Sequence, residues 1–90
     1  MQEYVVERSI PGAGKMTTDD LRAASRKSRD MLRELGPDIQ WVHTYVTDDK
    51  MYCVYRAEDP DLIREHATRG GFPADIISPV RAVINPTTAN

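Results

Sequence analysis

Cysteine is almost missing from this chain: Cys53 stands alone in 90 residues. One cysteine excludes an internal disulfide and a Cys-rich zinc site. Small secreted domains usually carry several bridges, so a reducing cytoplasm is the expected compartment. Histidine is nearly as scarce, with His43 and His66 alone, a tight limit on any imidazole-based metal or catalytic centre. Excess positive charge is also absent. Twelve Lys+Arg against 14 Asp+Glu leave a formal charge of −2 with no dense basic block, which argues against nucleic acid as the main partner. No apolar run approaches the roughly 20 residues of a membrane-spanning helix. Glu3, Glu7 and Arg8 interrupt the N-terminus where a signal peptide would be apolar.

Two apparent motifs fail on inspection. Asn85-Pro86-Thr87 has the outline of a glycosylation acceptor, but its central proline disqualifies it. The run up to Gly14-Lys15-Met16 has the outline of a phosphate loop. Its first glycine is replaced by Ser9, and Met16 stands where Ser or Thr is needed.

What is present reads as one domain over residues 1–90. A chain this short buries only about 60–65% of its unfolded surface, so dimerisation would help it. Glu3–Ile10 is short and β-branched and ends at Pro11-Gly12, as a strand does. Thr17 or Thr18 can cap a helix, with Asp19 and Asp20 in its first turn. Leu21, Ala24, Ser28, Met31, Leu32 and Leu35 then recur at helical spacing, and Gly36-Pro37 stops it. Ile39–Thr47 and Lys50–Arg56 read as a hairpin around Asp48-Asp49. Asp59-Pro60 starts a second helix, Gly70-Gly71 ends it, and Ile76–Ile84 reads as a last strand before a polar tail at 85–90. The order β-α-β-β-α-β is that of an α+β, ferredoxin-like fold: a four-stranded antiparallel sheet with two helices on one face.

Function is then sought on the open face of the sheet. A two-residue turn at Asp48-Asp49 sets Tyr45 opposite Tyr52, His43 opposite Val54 and Trp41 opposite Arg56, all on one face. Val42, Thr44, Val46, Met51, Cys53 and Tyr55 take the other, more aliphatic face, under the helices. In the central first strand, Tyr4, Val6 and Ile10 point to the helices, and Glu3, Val5 and Glu7 to the open side. Glu7, His43, Tyr45 and Tyr52 thus form a candidate cluster of acid, imidazole and phenols. A face of Trp, His and Tyr is more often a dimer interface than a ligand site, although dimer clefts frequently hold sites. His66 lies on the apolar stripe of its helix with Leu62 and Ile63, where a histidine is usually a core residue. Cys53 reads as a small core residue.

The run Trp41-Val42-His43-Thr44-Tyr45-Val46-Thr47-Asp48-Asp49-Lys50 followed by Tyr52-Cys53-Val54-Tyr55 is distinctive. So are Ile63-Arg64-Glu65-His66-Ala67, Gly71-Phe72-Pro73-Ala74, Val6-Glu7-Arg8 and Pro11-Gly12-Ala13. Together they resemble a family of small bacterial nickel-binding, or nickel-responsive, proteins catalogued as a domain of unknown function. The resemblance implies a homodimeric ferredoxin-like fold that binds Ni²⁺ and no established reaction. On chemical grounds Glu7 and His43 are the first candidate metal ligands. Tyr45 and Tyr52 are weaker or outer ones, and His66 is a candidate if the helix end or a partner chain brings it near. Imidazole and oxygen donors suit Ni²⁺, but Zn²⁺ and Cu²⁺ fit the same set.

Two other readings use the same face. One is a dimeric α+β barrel enzyme of the cofactor-free oxygenase or isomerase type, with His43 as general base and Tyr45 or Tyr52 as donors. It requires a deep apolar pocket beside His43. The other is an interaction module whose aromatic face only dimerises.

Overall fold

A computed structural model describes all of residues 1–90. The elements are β1 (Gln2–Ser9), α1 (Thr18–Leu35), β2 (Ile39–Val46), β3 (Lys50–Ala57), α2 (Pro60–Gly70) and β4 (Ile76–Pro79), with short 3-10 turns at Ala13–Lys15 and Pro86–Ala89. The sheet order is β2-β3-β1-β4, with every neighbouring pair antiparallel. This is the ferredoxin-like arrangement expected from the element order.

Local chemistry explains the element ends. Thr17 accepts a hydrogen bond from the Asp20 amide, and the Asp20 carboxylate accepts one from the Thr17 amide, a reciprocal capping box that starts α1. Asp59 caps α2 by accepting from the Asp61 amide, with Pro60 at the first helical position. Gly71 ends α2 in the left-handed region at φ 67°, a conformation that costs glycine nothing. The loop after β1 folds over the β2–β3 turn, with the Gly14 amide donating to the Asp48 carbonyl at 2.9 Å. A Cβ on Gly14 would meet the Asp48 Cα at 2.8 Å, so this close approach requires glycine.

The core is thin. Twelve of 90 residues are buried, and Tyr4, Val6, Ile39, Cys53, Tyr55, Ala57 and Ile63 form its cluster. No residue of α1 is fully buried, so this helix leaves space between itself and the sheet.

Two expectations need correction. The last strand stops at Pro79 and does not reach Ile84. Proline offers no amide to the sheet, and after one further bond, from the Val80 amide to the Glu3 carbonyl, pairing ends. Residues 81–90 form an arm that leaves Val83 and Ile84 74% and 78% exposed. The radius of gyration, 13.7 Å, exceeds the ~12 Å of a compact chain of this length. The second correction concerns β2. Trp41 pairs with Tyr55 and His43 with Val54, so Val42 is an extra residue in a β-bulge. The bulge turns Trp41 to the helix side, where its Nε1 donates to Thr44 Oγ1 at 2.9 Å. It also leaves Val42 40% exposed, away from the core.

Candidate functional site

The open face of the sheet is built from alternate residues of all four strands. One cross-strand row runs Ile76, Glu7, Tyr52, Tyr45. The next runs Ser78, Val5, Val54, His43. Glu7 therefore lies beside Tyr52, and Tyr52 beside Tyr45. The His43 ring meets the Tyr45 ring edge-on, with centroids 4.8 Å apart. Tyr45 is 61% exposed. Glu7 sits within 3.8 Å of Lys50 Nζ, and Glu3 within 3.6 Å of Arg56 Nε.

The four candidates on this face form one surface but not one closed site. Glu7 and His43 are separated by two strand spacings and one row, about 10 Å or more. No three His, Cys, Asp or Glu side chains converge within the chain. The donors suit a divalent cation chemically, as imidazole nitrogen and carboxylate oxygen. They would surround one only with further donors from a second copy.

His66 lies on the opposite side of the sheet. It is 0% exposed, with Nε2 3.1 Å from Ser28 Oγ and Nδ1 without a partner. Its ring packs edge-on against Tyr55 and tilted against Phe72. Burial, reinforced by the nearby Arg8 charge, lowers its pKa from 6.5 to about 4. An imidazole held neutral beside a guanidinium is a poor neighbour for a further cation. The sheet also keeps it from Glu7 and His43 within one chain.

Arg8 is the residue that the motif reading passed over. Strand alternation from Tyr4 and Val6 sends it inward, and that period was the available signal. It is 3% exposed. Its Nε donates to Cys53 Sγ at 3.3 Å, its Nη2 to Tyr55 Oη at 3.2 Å, and its Nη1 to the Pro73 carbonyl. The guanidinium also lies 5.7 Å from the Phe72 ring centroid. Burial alone would weaken the Arg8 charge, but contacts with Tyr55 and Cys53 outweigh it and hold the pKa above the ordinary arginine value. Burial, opposed in part by Arg8, raises that of Tyr55.

Arg8, Ser25, Ser28, Thr44, Cys53 and Tyr55 supply the polar groups of a partly open cavity of about 240 Å³ between α1 and the sheet. Its remaining wall is mostly apolar, with Leu21 and Ala24 from the helix and Trp41, Val46 and Met51 from the sheet. This cavity is on the opposite face from His43. His43, the general base of the enzyme reading, does not line this apolar cavity.

The sequence profile of the family described as nickel responsive protein, SCO4226-like, matches residues 4–80. The fold matches the crystal structure of SCO4226 from Streptomyces coelicolor A3(2) with a TM-score of 0.75 and 16% identity, over 91% of this chain and 99% of that one. No curated protein sequence matches. No helix is long and apolar enough to cross a membrane.

Proposed function

The chain belongs to the SCO4226-like family of nickel-responsive proteins, and on that premise we propose that it binds a divalent metal ion, nickel first, as a homodimer joined through its open sheet faces. The observation that carries this reading is the family match over residues 4–80. The open face supports the dimer. Val5 and Val54 pair at its centre, flanked on one side by Glu3 with Arg56 and on the other by Glu7 with Lys50. A face with an apolar centre and opposite charges at both ends is self-complementary under a two-fold rotation. The thin core and the exposed arm leave apolar surface for a second copy to cover.

Glu7 and His43 are the proposed ligands, with Tyr45 and Tyr52 beside them. Two copies double the donor supply that one chain does not gather. His66 stays in the interior as a packing residue in this reading, and its ligation would require the helix layer to open. The metal supplies a charge centre for sequestration or sensing in a reducing cytoplasm, and no chemical reaction is assigned to it. The test is calorimetry with Ni²⁺ on tag-free protein, beside His43→Ala and Glu7→Ala, with mass measured by light scattering. Saturable binding weakened in both variants is the expected result. No binding by the wild type, or unchanged binding in both variants, refutes the site.

A further inference from the structure

The cavity under α1 contains a feature that packing does not explain. Arg8 is a buried cation with no carboxylate partner: its three hydrogen-bond acceptors are a thiol, a phenol and a backbone carbonyl. A guanidinium has five N–H donors, so two remain without an acceptor among the side chains around it. A buried charge is strongly disfavoured unless paired. Every other arginine engaged in a side-chain ion pair lies at the surface, on Asp19, Asp30, Glu3, Asp61 or Glu65. Arg8 alone is placed inside, at the floor of an open space.

We propose that this cavity binds a small apolar carboxylate, of the size of a monocyclic aromatic acid, with its carboxylate on Arg8 and its apolar body between α1 and β2–β3. A cavity of about 150 Å³ lined by apolar side chains accepts benzene. The 240 Å³ here leaves room for a ring and a short acid side chain. Tyr55 and Ser28 flank Arg8 and add hydroxyl groups at the acid end, whereas Leu21, Ala24 and Met51 present only apolar surface to the ring. The charge-assisted bond to Arg8 supplies orientation and selection for an anion. The neutral His66 behind Ser28 adds no competing positive charge. No residue of α1 is completely buried, and Leu32 and Leu35, which pack against the core, lie toward its C-terminal end, leaving the cavity beside its first turns, at Leu21 and Ala24. The site is on the opposite face of the sheet from Glu7 and His43 and does not depend on the metal reading.

Trp41, the single tryptophan, lines the cavity and serves as a built-in reporter. Phenylacetate, and phenylacetamide as its uncharged counterpart, are titrated into metal-free protein while Trp41 fluorescence and binding heat are followed. Phenylacetate is expected to saturate both signals, with the amide about tenfold weaker or more, as loss of one charged hydrogen bond implies. Ala24→Phe fills the space from the helix side and is expected to abolish binding while circular dichroism stays native. Arg8→Gln is expected to erase the preference for the acid. If that variant does not fold, the acid–amide comparison on the wild type decides. No saturable binding of phenylacetate, equal binding of acid and amide, or unchanged binding by Ala24→Phe each overturns the proposal.

Discussion

Replacing His66 by glutamine tests the most strongly perturbed histidine environment of the fold. His66 is fully buried, and burial, then Arg8, lowers its pKa from 6.5 to about 4. In the unfolded chain the imidazole takes up a proton as pH falls through 6.5, while the folded chain holds none until about pH 4. The unfolded state therefore binds more protons throughout this window, and stability rises with pH from about 4 to 6.5 and is level above it. Each pKa unit is worth about 1.4 kcal/mol, so the full shift is worth about 3 kcal/mol. Glutamine keeps a group that can bond to Ser28 but does not titrate. Urea unfolding, followed by far-ultraviolet circular dichroism at a fixed protein concentration, is measured from pH 7.5 down to pH 4.5 for both proteins. Carboxylates titrate alike in the two and cancel in the difference. The wild type is expected to lose about 2–3 kcal/mol more than His66→Gln over that range. Parallel stability profiles would refute the claim that a buried neutral His66 carries the acid sensitivity.

The open face and the helix layer yield three more expectations. Lys50→Met removes the ammonium 3.8 Å from Glu7, and Ni²⁺ affinity by calorimetry should rise about two- to fivefold, the scale of an exposed ion pair; unchanged affinity removes Glu7 from the ligand set. Val54→Glu places a charge at the centre of the proposed dimer face, and light scattering should then report a monomer at concentrations where the wild type is dimeric; an intact dimer would place the interface elsewhere. Gly70→Ala puts a Cβ into the Phe72 ring and should lower stability by about 1–3 kcal/mol in urea unfolding; a neutral result would mean that Phe72 moves freely from its place over Arg8.

Much of the architecture is legible in the sequence because it rests on local chemistry. Thr17, Asp20, Asp59, Pro60 and Gly71 mark the helix ends by hydrogen bonds and backbone preferences that act within a few residues. The alternation of Tyr4 and Val6 with Glu3, Val5 and Glu7 assigns the faces of β1, and the Asp48-Asp49 turn sets Tyr45 against Tyr52 and His43 against Val54. The family match spans residues 4–80, a range that includes the long motif from Trp41 to Tyr55.

The remainder depends on where distant segments meet. Trp41 changes face because one extra residue, Val42, is accommodated in β2, and a bulge is a property of the strand pair rather than of either strand. The last strand is short because pairing ends after Pro79, whatever its own β-branched content. The two histidines are 23 positions apart in the chain, and only folding puts the sheet between them, one on the open face and one in the interior. Arg8 follows the inward alternation of its strand, but its meaning comes from segments remote in sequence. Cys53, Tyr55 and Pro73 converge on it without a carboxylate, and α1 stands far enough from the sheet to leave a cavity at its side. Local preferences determined the elements and their faces. Long-range packing, which no short window of sequence encodes, decided which polar groups are exposed together and which are enclosed.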